Sequence, residues 1–187
     1  MNLLFVRHAI AEKREEWNET HLSDFFRPVT KRGIIRFTDV ALGLSLFVPK
    51  IDLILTSHYT RSVQTAEILH AQYNDAELKY TQELNPDTKV QKVVDLIWDY
   101  IELNEEQSKD EEETIAIVGH QPELTQIISM ILINKKDINL RLKKGGAALL
   151  AIRNSRPELK WLMSGRQLVQ FSSVYEELKA KNISPAT

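Results

Sequence analysis

Two short runs, each almost wholly apolar and each ending in a histidine, constrain this chain more than any other feature. Leu3-Leu4-Phe5-Val6 leads straight into Arg7-His8, and Thr114-Ile115-Ala116-Ile117-Val118 leads into Gly119-His120. Runs of this length without polar alternation predict strands covered on both faces, the pattern of a parallel sheet packed between helices. In open α/β sheets ligands bind just beyond the carboxyl ends of the strands. A guanidinium and an imidazole at such an end suit an anion, most simply phosphate. One Arg-His pair alone reads as readily as a loop histidine beside an arginine that meets a surface carboxylate. The second strand of the same kind turns the pattern toward a site.

Between these runs the chain alternates. A charged connection from Glu12 to Asp24 is too long for a plain turn and reads as a functional loop or flap. Thr30 is placed to cap a helix whose inner face carries Ile34, Phe37, Ala41 and Leu44 and which Pro49 stops. Ile51–Leu55 is a second buried strand ending at Thr56-Ser57, and Tyr59–Tyr73 is the next helix, with Arg61 in its first turn. A short strand at Glu77–Thr81 and a turn at Glu83–Asp87 precede the clean helical stripe Val90, Val93, Val94, Ile97, Ile101. The acidic run Glu105–Glu113 reads as a solvated loop. Pro122 suits the first turn of a helix carrying Leu124, Ile127, Ile128 and Ile131. Ala147–Ile152 and Leu159–Met163 form a hairpin turning at Asn154–Pro157. The expected fold is a three-layer α/β/α sandwich whose central sheet is mostly parallel with an antiparallel portion. One domain spans 1–187, its residues 170–187 forming a C-terminal surface helix (Ser172–Lys181) and a frayed tail.

Composition removes several functions. A formal net charge of -2 makes no electrostatic case for a nucleic-acid or membrane-surface partner. With no cysteine, disulfides, thiolate catalysis and cysteine metal sites are excluded. The N-terminus enters a strand directly and no apolar run could span a bilayer, so the expected compartment is the cytoplasm. The five histidines show neither His-x-His nor His-Glu-x-x-His spacing, so no metal site and no cofactor are expected. Of these histidines, His58 reads as local packing, and His21 and His70 as solvated or capping residues. Lys143-Lys144-Gly145-Gly146 resembles a phosphate loop only superficially and reads as a turn.

Three strand ends therefore carry chemistry: Arg7-His8, Ser57 with Arg61, and Gly119-His120. Connections through helices would gather all three at one edge of the sheet. A neutral imidazole there can attack phosphorus and hold the group covalently, and guanidiniums can spread their donors over the phosphoryl oxygens. No metal is required.

On Arg7-His8-Ala9, Thr56-Ser57-His58-Tyr59-Thr60-Arg61-Ser62-Val63-Gln64-Thr65-Ala66 and Val118-Gly119-His120-Gln121-Pro122, the chain resembles the histidine phosphatase superfamily, with its phosphoglycerate mutase-like fold. Asp24-Phe25-Phe26-Arg27-Pro28-Val29-Thr30-Lys31-Arg32-Gly33 resembles the Arg-Pro-Leu-Thr element of its SixA-like branch, whose members are phosphohistidine phosphatases acting on histidine-containing phosphotransfer domains. The resemblance implies His8 as nucleophile, with Arg7, Arg61 and His120 completing the phosphate pocket. Ser57 and Arg27 join the substrate-binding set, Arg27 reaching the phosphate or holding the flap. Glu83 stands where larger relatives place a general acid, and Asp24 is a weaker acidic candidate. The expected activity is metal-independent phosphohistidine hydrolysis on a protein partner. The alternatives are a small-molecule phosphomonoesterase or mutase, and a non-catalytic phosphate-binding scaffold.

Overall fold

The computed structural model describes residues 1–105, 113–135 and 138–181. Six strands are β1 (Asn2–Arg7), β2 (Leu53–Thr56), β3 (Glu77–Tyr80), β4 (Thr114–Gly119), β5 (Ala147–Arg153) and β6 (Arg156–Met163). They form one sheet in the order β3-β2-β4-β1-β5-β6. β3, β2, β4 and β1 are mutually parallel, whereas β5 runs antiparallel to β1 and β6 antiparallel to β5. The expected mostly parallel sheet with an antiparallel portion is what the chain forms.

The helices are α1 (Arg14–Asn18), α2 (Lys31–Ser45), α3 (Thr60–Gln72), α4 (Val90–Glu105), α5 (Glu123–Ile133) and α6 (Gly165–Ala180). Alternate strand residues point to opposite faces, and the two faces are covered by different helices. Leu4, Val6, Ile54, Ala116 and Val118 pack against Phe37, Val40 and Leu44 of α2, Ala66 and Leu69 of α3, and Leu168 of α6. Leu3, Phe5, Leu53, Ile115 and Ile117 pack against Val93, Val94 and Ile97 of α4 and Leu124, Ile127 and Ile128 of α5. Two-sided burial is why β1 and β4 lack polar alternation, and it leaves the strand ends as the place where polar chemistry can sit.

Local departures from expectation have local causes. Thr30 caps α2 by accepting from the Gly33 amide at 2.9 Å, yet Ile34 is exposed. Gly33 takes the inward position instead, because a Cβ there would lie 2.1 Å from the Ile10 carbonyl oxygen. The glycine thus lets the chain beyond the β1 end close onto α2. That helix ends at Ser45, ahead of Pro49, where the amides of Phe47 and Val48 both return to the Leu44 carbonyl. α6 begins at Gly165 rather than near Ser172, because Ser164 and Gln167 form a reciprocal capping box. Apart from Glu105 and Glu113 themselves, the acidic run lies outside the described residues, as do residues 182–187.

Candidate active site

The sheet register brings the three chemical strand ends together. Arg7 stands opposite Gly119 across the β1–β4 pair, and Thr56 opposite Val118 across β2–β4. The pairing runs on past the strands: the His8 amide donates to the Gly119 carbonyl at 3.0 Å, and the Ser57 amide to that of Val118 at 3.4 Å. The His8 and His120 rings consequently lie 5.3 Å apart, centroid to centroid, tilted by 52°. Both are buried at the floor of a cleft of about 760 Å³.

The state of His8 follows from its partner. Its Nδ1 lies 2.7 Å from the Ala9 carbonyl oxygen, which can only accept. The ring proton therefore resides on Nδ1 and the lone pair on Nε2. Burial, the neighbouring His120 and the charges of Arg61 and Arg7 push this imidazole well below its ordinary 6.5, against the upward pull of the Ala9 contact. His8 is thus neutral at neutral pH, with a fixed tautomer and a nucleophilic nitrogen. Ala9 is held in turn, its amide donating to Thr65 Oγ1 at 2.9 Å while that hydroxyl donates to the Arg61 carbonyl at 2.6 Å.

His120 is held at Nε2, which lies 3.0 Å from Ser57 Oγ and 3.2 Å from Ser62 Oγ. Ser57 donates its own proton to Asn85 Oδ1 at 3.0 Å, and Asn85 also accepts from the His58 amide at 3.0 Å. Ser57 can therefore take a proton from Nε2 and Ser62 can give one, so the pair accommodates either neutral tautomer. Burial, then the charge of Arg61, bring His120 down to about 3 despite Asp24. A stability consequence follows. In the unfolded chain these imidazoles titrate near 6.5, so below that pH, and down to about 3 for His120, the unfolded state binds more protons. Tm is expected to be insensitive to these groups above pH 6.5 and to fall as the pH drops through that window. His120→Asn should make the fall shallower in a thermal-melt series; an unchanged slope would mean that His120 is not held neutral.

Three of the arginines, Arg14, Arg27 and Arg61, are gathered by one carboxylate. Asp24, in a single helical turn (Asp24–Phe26), accepts from Arg27 Nε at 2.6 Å and pairs with Arg61 Nη2 at 3.1 Å and Arg14 Nη2 at 3.5 Å. Its carbonyl accepts from Arg61 Nη1 at 2.9 Å. Burial alone would raise this carboxyl, but the Arg27 hydrogen bond and the charges of Arg61, Arg27 and Arg14 hold it below the usual carboxylate range. Arg27 also donates to the Glu12 carbonyl at 2.7 Å, which ties down the connection from Glu12 to Asp24. Arg7 is fixed separately, Nη1 donating to Gln121 Oε1 at 3.0 Å and to the Leu142 carbonyl at 2.9 Å. Tyr59 lies under Arg61, 4.9 Å from ring centroid to guanidinium, and edge-on to His120 at 5.3 Å.

Of the residues singled out in the sequence, Arg7, His8, Arg27, Arg61 and His120 line this cleft together. Ser57 is fully buried and touches His120 rather than the opening. Glu83 stands apart. It accepts from Thr81, pairs with Lys92 at 3.5 Å, and borders a mostly apolar cavity of about 230 Å³ beneath α4. The Thr81 hydrogen bond, chiefly, keeps its carboxyl below the ordinary value. Asn85, Ser62, Gln121 and Asp24 as an arginine hub escaped the sequence reading. Ser62 and Gln121, which directly follow Arg61 and His120, carried a signal of position, and Asp24 stood in the sequence only as an acidic candidate.

No family model matches the chain. It is 33% identical over 146 residues to an uncharacterized protein of Picosynechococcus, across 78% of this chain and 82% of that protein. Among solved structures, the protein histidine phosphatase SixA complexed with tungstate matches at TM-score 0.73 and 20% identity, covering 90% of this chain and 99% of that chain. Phosphoglycerate mutase from Plasmodium falciparum matches at TM-score 0.62 and 19% identity, covering 86% of this chain and 88% of that chain. The chain therefore belongs to one family with the Picosynechococcus protein, and its fold is the phosphoglycerate mutase-like fold, shared with SixA.

Proposed function

We propose that the chain is a phosphatase that works through a covalent phosphohistidine at His8 and acts on phosphohistidine in a protein, such as a histidine-containing phosphotransfer domain. The observation that carries this reading is the state of His8, neutral with Nδ1 committed to Ala9 and Nε2 left for the cleft. In the first step Nε2 attacks phosphorus, and the bond to the leaving nitrogen breaks with its electron pair on that nitrogen. The Nδ1 proton stays in place, and its bond to the Ala9 carbonyl strengthens as the ring becomes cationic. Arg7, Arg27 and Arg61 supply charge to the phosphoryl oxygens, and His120 stands beside the nucleophile. Water then attacks phosphorus, and His8 leaves as neutral imidazole.

The acids favour this substrate over a sugar phosphate. An alkoxide leaving group needs a proton, whereas an imidazole departs without a strong acid. Of the acids singled out in the sequence, Glu83 lies outside the cleft and Asp24 is held ionised, so neither is poised as a donor. Glu15, Asp87 and Glu123 also line the cleft and are the carboxyls an alkoxide leaving group would have to draw on. The second reading, a small-molecule phosphomonoesterase or mutase, draws on the segment from Lys13 to Arg27, which walls the cleft and could enclose a small ligand. Among the described residues no helix is long and apolar enough to cross a membrane, and a cytoplasmic setting suits the proposed partner.

A hydrolysis panel of phosphohistidine proteins, sugar phosphates and nucleotides, run in EDTA, tests both readings. Turnover of the phosphohistidine proteins is expected to be fastest and to survive the chelator, because the arginines provide the site's positive charge. Preference for a sugar phosphate selects the second reading. Loss of activity in EDTA with recovery on adding a divalent cation would count against both.

A further inference from the structure

The turn before β5 lies at the cleft for a topological reason. Because β5 runs antiparallel to β1, its amino end meets the carboxyl end of β1. The Arg7 amide donates to the Gly146 carbonyl at 3.0 Å, and the Gly145 amide reaches the carbonyls of both Arg7 and His8 at 3.1 Å. Gly145 does so at a φ of 66°, a conformation open to glycine at little cost. The backbone of Lys144 is thereby fixed against that of the nucleophile, and its side chain lines the same cleft as Arg7, His8, Arg27 and Arg61.

The other cations of the cleft have partners. Arg7 has Gln121 and the Leu142 carbonyl, Arg14, Arg27 and Arg61 share Asp24, and Lys13 pairs with Glu16 at 2.6 Å. Lys144 makes no hydrogen bond or ion pair among the described residues. The charged groups acting on it are Arg7 from β1, Arg61 from α3, and Arg27 and Glu15 from the connection between β1 and α2. Burial and the three guanidiniums hold its ammonium below the ordinary 10.5, with Glu15 opposing them. An unpaired cation among cations is unfavourable until an anion arrives.

From this geometry we infer that Lys144 is a phosphate-binding residue, a further cation that grips the phosphoryl group beside Arg7, Arg27 and Arg61. The inference rests on the phosphatase reading of the cleft and adds to it a residue from outside the recognised motifs. It also gives a role to the Lys143-Lys144-Gly145-Gly146 turn, which sequence alone leaves as a connection.

The test is binding of inorganic phosphate to the full chain, measured by calorimetry across pH. Lys144→Ala should weaken phosphate about tenfold, the size of one charge-assisted contact at a half-open site. Lys144→Arg should largely restore it. Lys143→Ala removes the same charge from the same turn outside the cleft, and should leave affinity unchanged. In the wild-type protein affinity should fall on the alkaline side as Lys144 loses its proton, and that limb should move to higher pH in Lys144→Arg. Equal losses in Lys143→Ala and Lys144→Ala would overturn direct contact, as would no loss in Lys144→Ala. If phosphate binding depends on Lys144 but no phosphorylated substrate is hydrolysed, this inference stands and the phosphatase reading fails. Turnover dependent on His8, with phosphate affinity indifferent to Lys144, is the reverse result.

Discussion

His8→Ala is expected to abolish turnover, by roughly six orders of magnitude if it behaves as loss of a covalent nucleophile does elsewhere. The same variant should lose the label that brief exposure to a radiolabelled substrate leaves on the wild-type chain. That adduct should be labile in acid and stable in base, as a phosphoramidate is and a phosphoserine ester is not. The fold should survive, because the residues at this position that bear on packing act through the backbone. The His8 amide pairs with Gly119, and the Arg7 and His8 carbonyls accept from Gly145. Alanine keeps all three bonds. It also removes a buried imidazole that resists protonation, so the variant should melt no earlier than wild type below pH 6.5, where the native ring weakens the fold. A His8→Ala protein with normal turnover would exclude the covalent route. Wild type that binds phosphate but neither labels nor turns over would leave the scaffold reading.

What was legible in the sequence was whatever has a period or a sharp edge. β1 and β4 announced themselves because burial on both faces removes polar residues from a strand, and Arg7-His8 and Gly119-His120 stood out against those runs. α4 was visible because its five apolar positions recur at helical spacing and all are buried. α1 was not, since none of its residues is buried and no stripe exists to be read. The start of α6 was hidden for a related reason. Its first turn is Gly165-Arg166-Gln167, polar and without an apolar face, and the signal lay in the capping pair Ser164 and Gln167. The supporting network was least accessible. Ser57, Asn85 and His120 meet through bonds that span 28 and 63 positions of sequence. Nothing in local composition marks such partners; only the register of β2 against β4 puts them within reach.

The second large effect is expected at Arg61, and it separates a residue that binds phosphate from one that merely fills space. Arg61→Ala should raise KM and lower kcat together, with a combined loss of roughly 10²–10³ in kcat/KM, because a charged contact is removed from ground state and transition state alike. Arg61→Lys should rescue little. The native guanidinium donates through Nη1 to the Asp24 carbonyl and pairs through Nη2 with the Asp24 carboxylate, and an ammonium cannot make both bonds with a planar fork. Each terminal nitrogen keeps a second N–H beyond Asp24, so the carboxylate can aim the guanidinium without exhausting it. On the proposed function Asp24 is expected to act as a positioning residue, reaching the phosphate through Arg61 and Arg27. Asp24→Asn keeps the shape and the main-chain acceptor but removes the negative charge of the hub and turns an amide NH2 toward one of the guanidiniums, and should cost about tenfold in kcat/KM. The decisive measurement is the double-mutant cycle. If Asp24 works by aiming Arg61, adding Asp24→Asn to Arg61→Ala should cost much less than it does alone. If instead the Asp24 carboxylate competes with phosphate for the arginines, Asp24→Asn by itself should tighten phosphate binding, and the positioning role is lost.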